Sequence, residues 1–284
     1  MDIERVLVVG AGFMGHGIGQ VAAVSGRSVT LYEPDLARAV AGRDRIAGDL
    51  DRLVAKGRLD PGARDAALAR IAATDDLAPA GEADLAVEAV PEDAALKAAV
   101  LEAVDAALRP GAILATNTSS ISIDRLAAAV GPARRPRFLG LHFFSPVPVM
   151  PLVEIVRGTA TDVATLDAAR SFAASLGKKT VQSADRPGFI VNRMLMPLLA
   201  EAMRVLEEGT ATASDIDAGA KLGLNHPMGP LELADFIGLD VCLGIMRVLE
   251  GELGPSYAPP AGLVALVEAG HLGRKTGRGF HAYG

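Results

Sequence analysis

The 284-residue chain carries a net charge of −6 with no basic run longer than a few residues, which argues against nucleic acid as its main partner. Half of its residues are hydrophobic and its mean hydropathy is +0.30, yet Gly, Arg, Asp and Glu interrupt every apolar run short of the roughly 20 residues that a membrane-spanning helix requires. The surplus apolar surface therefore belongs in cores or in a subunit interface, and the length predicts two domains of unequal size.

Through the first half, short Val, Leu and Ile runs alternate with Ala-rich helical segments, the pattern of a parallel sheet covered by helices on both faces. The opening Met1-Asp2-Ile3-Glu4-Arg5 holds no basic n-region of a secretory leader, and a strand is predicted at once over 5–9. Gly10-Ala11-Gly12-Phe13-Met14-Gly15 follows it and opens a helix. The first glycine permits the tight turn, the second lets backbone approach a pyrophosphate, the third lets helix and strand pack, and the helix N-terminus attracts the anion. A second strand over 28–32 leads to Glu33 at about the 20-residue spacing where a carboxylate accepts hydrogen bonds from an adenosine 2′-hydroxyl and repels a 2′-phosphate. No arginine stands within Tyr32-Glu33-Pro34-Asp35, so the segment predicts NAD as cofactor in preference to NADP. The plain alternative is a glutamate that ends a strand at the surface.

A helix over 36–56, the turn Asp60-Pro61-Gly62 and a second helix over 63–70 predict a helical hairpin inserted in the wiring of the sheet, with Lys56 at its tip. Further strands are predicted over 85–89, 113–116, 138–142 and 153–157. His142 ends an apolar strand and Glu154 follows across a proline-rich turn in the next, so a hairpin-like return brings carboxylate and imidazole together. A carboxylate on one ring nitrogen leaves the other to take a proton and stabilises the imidazolium that results. On spacing alone, a packed histidine and an unrelated strand-end glutamate fit as well.

Past Val181 the β pattern stops, and Asp185-Arg186-Pro187-Gly188 has the turn chemistry of a domain boundary, dividing the chain into 1–186 and 187–284. Helices are expected from there on. Leu195, Leu198, Leu199, Met203 and Leu206 recur at three- and four-residue spacing on one buried face, with Pro197 near the helix start, where it costs least, and Gly209 as the C-cap. The single cysteine, Cys242, lies in the apolar stretch 239–246 and predicts a buried structural thiol in a chain suited to a reducing cytoplasm. His16, His226, His271 and His281 have no spacing to Cys or carboxylates that builds a metal site, and no metal is expected.

Taken together, the Gly10–Gly15 fingerprint, Asn117-Thr118-Ser119-Ser120, His142-Phe143-Phe144-Ser145-Pro146-Val147-Pro148-Val149-Met150, Leu152-Val153-Glu154, Arg186-Pro187-Gly188-Phe189-Ile190-Val191-Asn192-Arg193 and His226-Pro227-Met228-Gly229-Pro230 resemble the L-3-hydroxyacyl-CoA dehydrogenase family, in order and through essentially the whole chain. The wording and length are most similar to the bacterial 3-hydroxybutyryl-CoA dehydrogenases. The resemblance implies a Rossmann-type, doubly wound α/β domain with an inserted helical hairpin, followed by an all-α domain that binds substrate and dimerises. It makes His142 the general base for a 3-hydroxyl and Glu154 the carboxylate that orients it. Ser119 and Asn192 match polar residues around the reacting oxygen and thioester; read without the family, both are ordinary cap or turn residues. Glu92, Lys97, Ser119 and Lys275 match cofactor contacts, and Lys56 matches a contact to CoA, where a basic residue suits the phosphates. For each of these charges a solvated side chain is the plain alternative.

Some positions depart from the usual family wording. Ser145 stands in place of asparagine, which puts that one cofactor or substrate contact in doubt; Pro151 stands in place of lysine; Asp49 lies near a family serine that meets CoA; and Asp93 replaces a frequent asparagine. Two competing functions remain open on the sequence: a related dehydrogenase acting on L-gulonate or carnitine, whose segment after the histidine differs from the one here, and a non-catalytic dinucleotide sensor, which needs Gly12 and Glu33 but no proton acceptor.

Overall fold

The Val-rich run after the first residues forms β1 (Arg5–Val9), buried along its length beyond Arg5, and it feeds α1 (Gly15–Val24). In the computed structural model, which describes residues 2–284, β1 lies third from one edge of an eight-stranded sheet ordered β3-β2-β1-β4-β5-β6-β7-β8. The other strands are β2 (Ser28–Tyr32), β3 (Ile71–Thr74), β4 (Leu85–Glu88), β5 (Ile113–Thr116), β6 (Phe138–Phe143), β7 (Leu152–Arg157) and β8 (Lys179–Ala184). Strands β1 to β6 run parallel, β7 turns back antiparallel to β6, and β8 runs parallel to β7. The connections carry α4 (Ala94–Ala107), α5 (Ile123–Ala127) and α6 (Val163–Ser175). β4 and β5 are buried at every residue, as central parallel strands covered on both faces must be.

The order reverses between β1 and β4, the switch point at which open α/β sheets bind ligands beyond the carboxyl ends of their strands. The ends lie level there, because Val9 pairs in register with Tyr32 and Glu88, and Glu88 with Thr116. The expected helical hairpin is α2 (Leu36–Ala55) and α3 (Pro61–Ala69). Asp35 caps α2 by accepting from the Ala37 amide at 2.9 Å, and Asp60 caps α3 with proline at its first position. Arg64 reaches across to Asp51 at 2.9 Å, and Ile46 and Leu50 of α2 are fully buried, each contributing about 1.5–3 kcal/mol of burial.

Two strands were not expected from the sequence. β3 carries one large apolar residue, Ile71, and β8 exposes Lys179, Val181 and Gln182. Both are edge strands with one neighbour each, so neither has to show the apolar composition of a central strand.

The chain divides into two compact units, Met1–Arg186 and Pro187–Gly284. The second consists of α7 (Val191–Glu207), α8 (Ala213–Gly223), α9 (Pro230–Ile237), α10 (Leu239–Leu253) and α11 (Ala261–Glu268). Pro197 sits inside α7 and not near its start, because the helix begins earlier than the leucine pattern, at Val191. Its own core gathers Met196, Leu199, Met203, Leu231, Cys242, Met246 and Leu263. No helix among the described residues is long and apolar enough to cross a membrane.

Burial, together with the charges of Asp240 and Asp235, pushes the Cys242 thiol up to about 12. Only the thiolate reacts with disulfide reagents, so labelling of native protein should run at least about a hundredfold slower than in denaturant. Comparable rates for native and unfolded chain, followed by thionitrobenzoate release, would show that the helical core does not hold this side chain.

Candidate active site

The glycine loop is shaped by contacts that only hydrogen can satisfy. Gly10 adopts φ +99°, and a Cβ there would stand 2.8 Å from the Ala89 carbonyl oxygen; at Gly15 it would stand 1.7 Å from the carbonyl oxygen of Gly10. A Cβ on Gly12 would meet nothing within 4 Å, which leaves that face of the loop open. Among the described residues the amides of Gly12, Phe13 and Met14 reach no protein acceptor, and they precede the N-terminus of α1. Such a loop fits a pyrophosphate. Glu33 is buried, accepts from the Ala11 amide at 2.8 Å, and borders a cavity of about 210 Å³ whose apolar wall includes Leu77, Val90, Leu96 and Val100. The first unit therefore holds features that suit the dinucleotide half of NAD: a loop of open amides, a buried carboxylate just beyond β2 and an apolar cavity beside it.

One neighbour of Glu33 escaped the sequence reading. Arg38 places its Nε 3.6 Å from Glu33 Oε2. It lies outside the strand-end tetrapeptide, but α2 begins at Leu36 and its first turn folds position 38 back over the end of β2.

Beyond β4 lies a chain of charges. Glu88, with no exposed surface, accepts from Lys97 Nζ at 2.7 Å, from the Thr116 hydroxyl at 2.6 Å and from the Val90 amide at 2.7 Å. Lys97, expected as a cofactor contact, is itself 1% exposed and also donates to the Val90 carbonyl at 3.1 Å. Its ammonium stands 3.4 Å from Glu92 Oε2. The other oxygen of Glu92 gathers the Thr118 hydroxyl at 2.6 Å and the amides of Ser119 and Ser120 at 2.9 Å, with the Ser119 hydroxyl at 3.2 Å. Partial burial raises the Glu92 carboxyl, but the Lys97 charge and these donors outweigh it and hold the group below its ordinary value. Ser119 and Glu92 are thus brought together, with Lys97 beneath them. Glu88 was missed, although a single acid in the otherwise apolar run Leu85-Ala86-Val87-Glu88-Ala89-Val90 is the signal that could have found it.

His142 and Glu154 face each other directly in the antiparallel β6–β7 register. Nδ1 of His142 lies 2.7 Å from Glu154 Oε2, with side-chain exposures of 7% and 0%. A carboxylate at that nitrogen requires Nδ1–H, so the neutral ring carries its basic lone pair on Nε2. The Phe143 amide donates to Asn117 Oδ1 at 2.9 Å, tying the end of β6 to the loop after β5, and the Phe144 ring lies 4.4 Å from the imidazole.

The connection between β6 and β7 contains Ser145 and a cis Ser145–Pro146 bond. Lys178 Nζ donates to the carbonyls of Val147 at 2.5 Å and Met150 at 2.8 Å, and burial pushes this ammonium below its ordinary value. Nothing in the sequence around Lys178 signals that role. Lys56 caps the C-terminus of α2, exposed at the hairpin tip. In the helical unit Asn192 lies in the first turn of α7, and Lys275 is held by Asp240 at 2.6 Å.

Residues 5–186 match the family model described as 3-hydroxyacyl-CoA dehydrogenase, NAD binding domain, and residues 188–283 match its C-terminal domain. The chain belongs to the 3-hydroxyacyl-CoA dehydrogenase family. As a member it is an NAD-dependent oxidoreductase interconverting 3-hydroxyacyl-CoA and 3-ketoacyl-CoA. It is 50% identical over 282 residues to the 3-hydroxybutyryl-CoA dehydrogenase of Bradyrhizobium diazoefficiens, covering 99% of this chain and 96% of that one. Among solved structures it superposes on Mycobacterium tuberculosis FadB2 with a TM-score of 0.97 at 46% identity, and on the (S)-3-hydroxybutyryl-CoA dehydrogenase PaaH1 of Ralstonia eutropha with 0.95 at 44%, each covering 100% of both chains.

The depressed Glu92 carboxyl generates a pH prediction. A group whose folded pKa lies below its unfolded value of 4.5 contributes stability that is present above 4.5 and lost as pH falls through the folded value. Glu92→Gln should therefore lower the urea midpoint of this family member near neutral pH, and its deficit relative to wild type should shrink progressively below about pH 4.5. A deficit independent of pH would assign the effect to hydrogen-bond geometry alone.

Proposed function

We propose that the preferred substrates are short-chain (S)-3-hydroxyacyl-CoA esters, 3-hydroxybutyryl-CoA foremost, with His142 as general base and Glu154 as the carboxylate that orients and charges it. The observation that carries this reading is the 2.7 Å His142–Glu154 contact, buried beside the carboxyl ends of the parallel strands. The names and identities of the bacterial relatives favour the four-carbon substrate.

NAD, when bound, supplies the hydride acceptor. The remaining work falls to side chains of the protein. His142 Nε2 takes the hydroxyl proton, and the ring becomes an imidazolium beside a buried carboxylate, where weak solvation makes the attraction stronger than it would be in water. Glu154 also fixes the tautomer through Nδ1. Ser119, held by Glu92, and Asn192 position the substrate oxygen and thioester. Gly10, Gly12, Phe13, Met14 and Gly15 carry the pyrophosphate, Glu33 the adenosine ribose, and Glu92, Lys97, Ser145 and Lys275 the rest of the cofactor site. Lys97 acts from beneath, through Glu92 and the Val90 carbonyl. Lys56 meets the phosphates of CoA.

Purified enzyme should show higher kcat/KM on 3-hydroxybutyryl-CoA than on the 3-hydroxydodecanoyl ester. His142→Gln should lower kcat by about 10² to 10⁴ with NADH binding little changed, and adding Glu154→Gln should cost little more, because the two serve one proton transfer. Retention of more than about a tenth of wild-type kcat would place the proton acceptor elsewhere.

We infer further that two copies pair through the helical unit and that the protein works in the cytoplasm. The unit exposes Met194, Leu198, Leu222, Leu224, Phe236 and Val241, the kind of apolar surface that a partner covers. The lone buried Cys242 suits a reducing compartment. Sedimentation equilibrium at micromolar concentration should return twice the 29.2 kDa chain mass; a single monomeric species would refute the pairing.

A further inference from the structure

Arg38 is poorly explained by the stability of its own helix. It sits in the first turn of α2, where the helix dipole disfavours a cation. Its side chain is 66% exposed, and among the described residues its one ionic neighbour is Glu33, at 3.6 Å, beyond hydrogen-bond reach. A pair whose cation is this exposed and loosely held contributes little to stability. Glu33, by contrast, is fixed: its other oxygen is occupied by the Ala11 amide and its side chain is buried. The two charges line the same cavity as the apolar side chains of Leu77, Leu96 and Val100. A planar guanidinium in that place can lie against the face of a purine and still turn its N–H groups toward the ribose.

We propose that Arg38 is the residue that sets how strictly this enzyme separates NAD from NADP. Beside Glu33 it offsets part of the repulsion a 2′-phosphate would meet, and once the carboxylate is neutral it becomes a ligand for that phosphate. The ligand class is a 2′-phosphorylated adenine dinucleotide, recognised by a charge-assisted, forked contact. This rests on the reading that Glu33 faces the adenosine ribose.

Dissociation constants of NADH and NADPH, measured by nucleotide fluorescence on the purified full-length chain, test the proposal without turnover. In wild type NADH binds more tightly. Glu33→Gln keeps an acceptor for the Ala11 amide and should tighten NADPH relative to NADH by about tenfold. In Glu33→Gln/Arg38→Gln that relative gain should vanish, and Arg38→Gln alone should widen the wild-type preference for NADH severalfold. A gain of equal size with and without Arg38 would overturn the proposal while leaving Glu33 at the ribose. An NADH-to-NADPH ratio unmoved by Glu33→Gln would overturn both, by removing Glu33 from the 2′ position.

Discussion

The carboxylate of Glu88 organises the cofactor side of the sheet. It lies wholly out of solvent at the end of β4, and its bonds run to Lys97 on α4, to Thr116 on β5 and to the Val90 amide. A buried ion pair of this kind is weak evidence for stability, since apolar residues of equal volume often serve as well; losing one partner is costly because the other charge is stranded. Its effect is positional. The carboxylate leaves Lys97 little choice of place, Lys97 draws Glu92 toward the sheet, and Glu92 collects the backbone of Ser119 and Ser120. The loops after β4 and β5 are thereby referred to a single fixed charge.

Much of the architecture was legible because it follows from rules that act locally. β1, β2 and β5 carry the bounds their apolar runs predicted, and the helical hairpin is announced by its long helical stretch and by Asp60-Pro61-Gly62. The proline-rich turn after His142 told of a return strand, and antiparallel pairing then set His142 opposite Glu154. What was missed belongs to features that local pattern does not encode. β3 and β8 are edges, free of the composition a buried strand must have. Arg38 comes near Glu33 because a helix starts where it does, and Glu88 finds Lys97 nine positions on, across a strand end and a loop.

The two halves of the candidate site differ in how they are held. The dinucleotide side depends on backbone, on glycines whose neighbours leave no room for a side chain, so its shape is written in residue identity. The His142–Glu154 side depends on register. A one-residue slip of β7 against β6 would turn Glu154 to the opposite face and leave a buried imidazole without its carboxylate.

Lys178 braces the connection between the two strands, and its reach has a consequence for what that connection can tolerate. By grasping the carbonyls of Val147 and Met150 it closes the β6–β7 connection into a small frame with a fixed span. Val149 projects from the frame between the two anchored carbonyls, 73% exposed. The anchors are backbone oxygens, present whatever side chain follows. Position 149 can therefore drift in size and polarity while the strands on either side stay in step, which makes the tip of this connection a place where surface character is decoupled from the alignment of imidazole and carboxylate.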